Sequence, residues 1–172
     1  MKNLKENIKY GIFEGVASLF ALLAFVFTFI PAYFENGFSD MSIVEIMMGN
    51  DRIATSGLII FGFVLLILAL LISVTHSVLF FLNKTNDKIT TILGIISGVM
   101  LLASSIILAS SIFISGLDKL NSELGLVQGS WGFKAGTFLV PVAGLIALGF
   151  TFPSALIIPH KKDLKDQIAE AK

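Results

Sequence analysis

Glu14 and His76 are the residues whose chemistry fits their surroundings least. The carboxylate lies in "GIFEGVASLF" and the imidazole in "ALLISVTHSVLF", both strongly apolar stretches. Brought together, the two groups can share a proton through a hydrogen bond, and ionisable residues inside a membrane are functional candidates by default. Glu14 stands at the start of the first apolar run, close to the helical angle of Ala21. His76 falls on the small-residue stripe of the second run, about a turn and a half from its end. Adjacent antiparallel spans bring both to the inward side of one leaflet, so a Glu14–His76 hydrogen bond is expected. Lys9 and Lys84 lie nearby in sequence, and the same residues also fit an ordinary interfacial charge cluster or a partner contact.

Other chemistry is thinly supplied. There is no cysteine, which excludes disulfides, thiolate metal sites and cysteine nucleophiles. The sequence contains no G-x-x-x-x-G-K-[ST], no H-E-x-x-H, no G-x-S-x-G and no metal-ligand cluster. Serine is abundant, but only His76 and His160 offer an imidazole base, and neither has a triad context. The expectation is a non-enzyme without cofactor or metal. With 12 basic and 12 acidic residues the formal charge balances, so no nucleic-acid partner is expected.

The elements that must position the pair follow from composition. Of 172 residues, 55% are hydrophobic and 14% charged, with mean hydropathy +0.90. A soluble domain carries about 25% charged residues. The apolar residues arrive in four blocks, about 15–34, 57–82, 89–115 and 135–158, followed by a tail over 159–172. Each block reaches the roughly 20 residues that cross about 30 Å of hydrocarbon. The expected fold class is all-α: a single integral-membrane domain, a bundle of four transmembrane helices. The first block is read as a retained span, because its apolar run exceeds the roughly 7–15 residues of a signal-peptide core and "IPAYFEN" offers no small-x-small cleavage site.

Lysine placement sets the orientation. Lys2, Lys5, Lys9, Lys84, Lys88, Lys161, Lys162, Lys165 and Lys172 fall on one side, against Arg52, Lys119 and Lys134 on the other. Both termini are therefore expected in the cytoplasm. In the first external loop, Ser42 and Glu45 have capping-box spacing, and Ile43, Ile46 and Met47 share a helical face, which predicts a short amphipathic helix on the outer surface. Leu117, Leu120 and Leu124 keep helical spacing, so the third helix is expected to continue until Gly125. Trp131, Phe133 and Lys134 read as interfacial anchors, and Pro141 and Pro153 as bends in the fourth span. Leu164 and Ile168 in the tail suit a short helix on the inner leaflet or on a partner.

Each span carries a stripe of small residues. In the third, Ser97, Ser104, Ser111 and Ser115 align at about 100° per residue, with Gly94, Gly98, Ser105 and Ala109 beside them. Gly94 and Gly98 have GxxxG spacing, and Ile95, Val99, Leu102, Ile106 and Phe113 take the opposite face. The first span aligns Ala17, Ala21, Ala24 and Thr28; the second, Gly62, Ala69, Ser73 and His76; the fourth, Gly136, Ala143, Ala147 and Ser154, flanked by Gly144 and Thr151. Lipid tails give helices no hydrophobic reason to associate, so close backbone approach and dispersion must hold them, and small side chains permit both. The middle of every span lacks Asp, Glu, Lys and Arg, unlike the charged rings of conducting pores.

Four spans, cytoplasmic termini, two external loops and a Gly-rich fourth span entered through "GSWGFKAG" resemble the tetraspan layout of claudin-like membrane proteins. The resemblance implies lateral assembly through small-residue faces and short external helices. Claudins carry W-G-L-W and a cysteine pair in the first external loop; here that loop has neither Trp nor Cys, and "SWGF" lies in the second. Barrier function is therefore not carried over, and no family site residue maps onto this chain.

The resulting expectation is a non-catalytic tetraspan protein that acts by lateral packing, as a self-assembling homo-oligomer or a small subunit of a membrane complex. The alternative is an oligomeric channel or transporter component with Glu14 and His76 near its cytoplasmic side. Abundant Lys, Ile, Phe and Asn fit an AT-rich bacterial genome, and the plasma membrane is the expected location.

Overall fold

The computed structural model describes residues 2–35, 40–49, 54–82, 84, 87–115 and 131–152. Four long helices dominate it: α1 (Lys2–Phe27), α3 (Gly57–Phe81), α4 (Asp87–Ala109) and α6 (Ala135–Phe152). All four are long and apolar enough to cross a membrane, and the protein is membrane-embedded. Helix α1 packs against α3 and α6, and α4 packs against the same two, so the bundle is a four-membered ring in the order α1, α3, α4, α6.

The expectation of an all-α fold needs correction. At one end of the bundle a three-stranded antiparallel sheet forms from β1 (Pro31–Glu35), β2 (Met41–Ser42) and β3 (Trp131–Phe133), with β1 in the centre. Tyr33 pairs with Met41 on one side and with Phe133 on the other, so the sheet joins the segment after α1 to the segment before α6. The first span accordingly ends earlier than the apolar run does. Thr28, Phe29 and Ile30 donate their amides to carbonyls three residues back, tightening the last turn, and the Thr28 hydroxyl donates to Phe25 O at 2.6 Å. Pro31 then fixes its own φ and biases Ile30 away from helix. Apolar content alone could not separate the strand "PAYFE" from the helix before it.

The third span also departs from a single rod over 89–115. Helix α4 ends at Ala109, Ser110 forms a turn, and the four-residue α5 (Ser111–Ile114) follows. Ser110 and Ser111 bring two weak helix formers together where the chain can tighten most easily. Pro141 lies inside α6, which continues to Phe152. Leu117, Leu120, Leu124, Gly125, Pro153, Ser154, His160 and the 159–172 tail lie outside the described residues.

The short helix α2 (Ile43–Met48) follows β2 and carries the capping box in full. The Glu45 amide donates to Ser42 Oγ, and the Ser42 amide donates to Glu45 Oε2 at 2.7 Å. Its apolar face is turned down onto the bundle: Ile43 and Ile46 are wholly buried, against α3 and α5. With Ala32 and Tyr33 these residues close the sheet end of the core. Along the axis, Ile59, Leu66, Leu101, Leu108, Ile112 and Val140 fill the interior, each no more than 1% exposed.

Candidate functional site

The helical ring brings Glu14 and His76 together. Both are completely buried, and His76 Nδ1 stands 3.4 Å from Glu14 Oε1. The placement comes from α1 and α3 running antiparallel with their small faces in contact. Gly11 lets α3 approach, since a Cβ there would lie 3.3 Å from Phe80 Cβ; one at Gly15 would make an ordinary contact, 3.6 Å from Ser77 Oγ. Three hydroxyls tie the seam. Ser77 Oγ donates to Gly11 O at 3.2 Å, Ser18 Oγ shares a 3.0 Å hydrogen bond with Ser73 Oγ, and Ser18 Oγ also donates to Glu14 O at 2.8 Å.

The contact is an ion-pair approach and not the hydrogen bond expected from the sequence. Neither ring nitrogen of His76 has a hydrogen-bond partner among the described residues. Instead the imidazole stacks at 4.9 Å and 34° on Phe80, whose ring lies 6.1 Å from Tyr10. The aromatic pair closes the site toward the end of the bundle opposite the sheet. Helix α3 dictates this: Ser73, His76, Ser77 and Phe80 recur at three- and four-residue spacing and are all buried. Thr90 in the first turn of α4 and Thr151 in the last turn of α6 are buried, and Thr151 Oγ1 donates to Ala147 O at 3.1 Å.

The arrangement sets a carboxylate beside an imidazole within the bundle. Among the described residues no serine hydroxyl lies within hydrogen-bonding distance of the imidazole, which a Ser–His nucleophile needs. Among the described residues no three His, Asp or Glu side chains gather as metal ligands.

The expected packing residues all lie inside. Ala17, Ala21, Ala24, Ala69, Ser73, Ser97, Ser104, Ser111, Ala143 and Ala147 are at most 3% exposed, and Gly62, Gly94, Gly98 and Gly136 are buried. Ile95, Val99, Leu102, Ile106 and Phe113 face out, between 43% and 61% exposed. Several inward contacts are close. A Cβ at Gly62 would lie 2.6 Å from Ile107 Cγ2, and one at Gly144 would lie 2.1 Å from Ser105 Oγ. Ser97 Oγ donates across to Ala69 O at 3.3 Å, while Ser104 Oγ has no hydrogen-bond partner among the described residues. Lys134 pairs with Asp40 and lies 5.6 Å over the Phe34 ring, which ties β3 to the β1–β2 segment. Trp131 contributes backbone to β3, and its side chain is not among those described.

Sequence reasoning missed Ser18, Ser77, Thr90 and Thr137. The first two were findable: Ser18 stands one turn after Glu14 and Ser77 one turn after Ser73, the i, i+4 relation that puts both on the paired faces. Thr137 could not be found that way, because its partner, Ala32 O at 2.6 Å, belongs to a strand that the apolar run concealed.

Fold and site together define a membrane-embedded four-helix bundle capped by a small sheet, with a buried carboxylate–imidazole pair at the far end. Compared with known proteins, the chain matches no family model, no curated protein and no solved structure.

Proposed function

We propose that this is a non-catalytic tetraspan protein that acts by association in the plane of the membrane, as a self-assembling structural protein or a small accessory subunit of a larger membrane complex. The observation that carries the reading is the closed interior. Leu66, Leu101 and Leu108 occupy the axis where a single-chain path would run, and the polar side chains are sealed among helices rather than opened to a cavity. Such a molecule offers other molecules its surfaces. Those are a belt of Leu, Ile, Val and Phe facing lipid, and the sheet with α2 at one end. On the lysine distribution, the sheet end is extracytoplasmic and both termini are cytoplasmic, with the plasma membrane of a bacterial cell as the setting.

Native mass spectrometry of the full chain in lipid nanodiscs tests this. A defined homo-oligomer, or a membrane protein that copurifies in fixed ratio, is the expected result. A monomer alone at every concentration would overturn it.

One observation favours a second reading, a channel or transporter component whose conduit exists only in an oligomer. His76 Nδ1 stands 3.4 Å from the buried Glu14 carboxylate, and ionisable side chains within a spanning bundle are candidates for a transport path. Proton flux into liposomes that disappears in Glu14→Gln would establish this alternative; absence of flux in the wild type removes it.

A further inference from the structure

We draw no further inference here: the strongest candidate, the apolar cleft between α4 and α6 over Gly94 and Gly98, lies on the outward face of the bundle, and nothing in the structure shows what covers it.

Discussion

At the sheet end, the Ala32 carbonyl accepts from both Thr137 Oγ1 at 2.6 Å and the Lys134 amide at 2.8 Å, and Ser42 and Glu45 satisfy each other's backbone through the capping box. At the opposite end, a fully buried imidazole has no hydrogen-bond partner for either nitrogen among the described residues and meets a carboxylate at 3.4 Å. Fit differs in the same sense. A Cβ at Gly136 would meet Ile30 O at 2.5 Å and Pro31 O at 3.0 Å, both backbone atoms, whereas one at Gly15 would meet only Ser77 Oγ at 3.6 Å. Strand pairing, caps and glycine fix the first region. The second is held by helix faces and retains polar groups with unused hydrogen-bonding capacity. Buried polar groups without partners cost stability, so the two ends differ in how fully their polar groups are satisfied.

The strongest way to break this comparison is to put a methyl group at each end. Gly136→Ala forces the first turn of α6 away from the β1 backbone, which cannot rotate aside as a side chain can, and should cost about 3 kcal/mol, the upper part of the usual range for overpacking. Gly15→Ala meets ordinary van der Waals distance and replaces glycine inside a helix, a change worth up to about 1 kcal/mol in its favour. Thermal unfolding in detergent, followed by circular dichroism or size-exclusion chromatography, is expected to show Gly136→Ala well below wild type and Gly15→Ala at or above it. Equal losses would mean the two ends are packed alike.

How much of this was legible beforehand depended on what each residue's signal is made of. Burial of Ser104 and Ala143 could be read from periodicity because helical spacing is local, and 3.6 residues per turn projects a sequence onto a face directly. The meeting of Glu14 and His76 followed from the same projection plus antiparallel order. The sheet was not legible. Ala32, Tyr33 and Phe34 read as the end of a span because hydropathy does not distinguish a buried strand from a buried helix, and the partner strand β3 lies about a hundred residues away in "WGF". Pro31 was the available mark, since it neither continues a ladder of helix hydrogen bonds nor lets the preceding residue stay helical. The turn at Ser110 was hidden for the opposite reason: its serines also belong to the inward stripe, and one residue type served two roles.

A sharper test acts on the pair itself. His76→Leu takes the imidazole from the buried Glu14 carboxyl, and Glu14→Gln takes from the imidazole the carboxylate that stands 3.4 Å away. Each change should lower stability by about 2 kcal/mol, within the range for stranding a buried polar group. In the Glu14→Gln, His76→Leu double variant the combined loss should be smaller than the sum of the two, because removing one partner already forfeits the shared interaction. Strict additivity in thermal or denaturant unfolding would show that the two side chains are neighbours without being coupled.

The smallest expected effect separates serine as a hydrogen-bonding residue from serine as a small one. Ser97 and Ser104 lie two turns apart on the same stripe of α4, both fully buried, yet Ser97 Oγ donates to Ala69 O on α3 and Ser104 Oγ donates to nothing among the described residues. Ser97→Ala should cost about 0.6 kcal/mol, the average for a hydrogen bond between helices in a membrane. Ser104→Ala removes a buried hydroxyl that has no partner and keeps the size that lets the helices approach, so stability should be unchanged or slightly raised. If Ser104→Ala instead costs more than Ser97→Ala, the hydroxyl at 104 has a partner in the bilayer state, and a polar connection would run further along the axis from His76 than the closed core of Leu66, Leu101 and Leu108 allows.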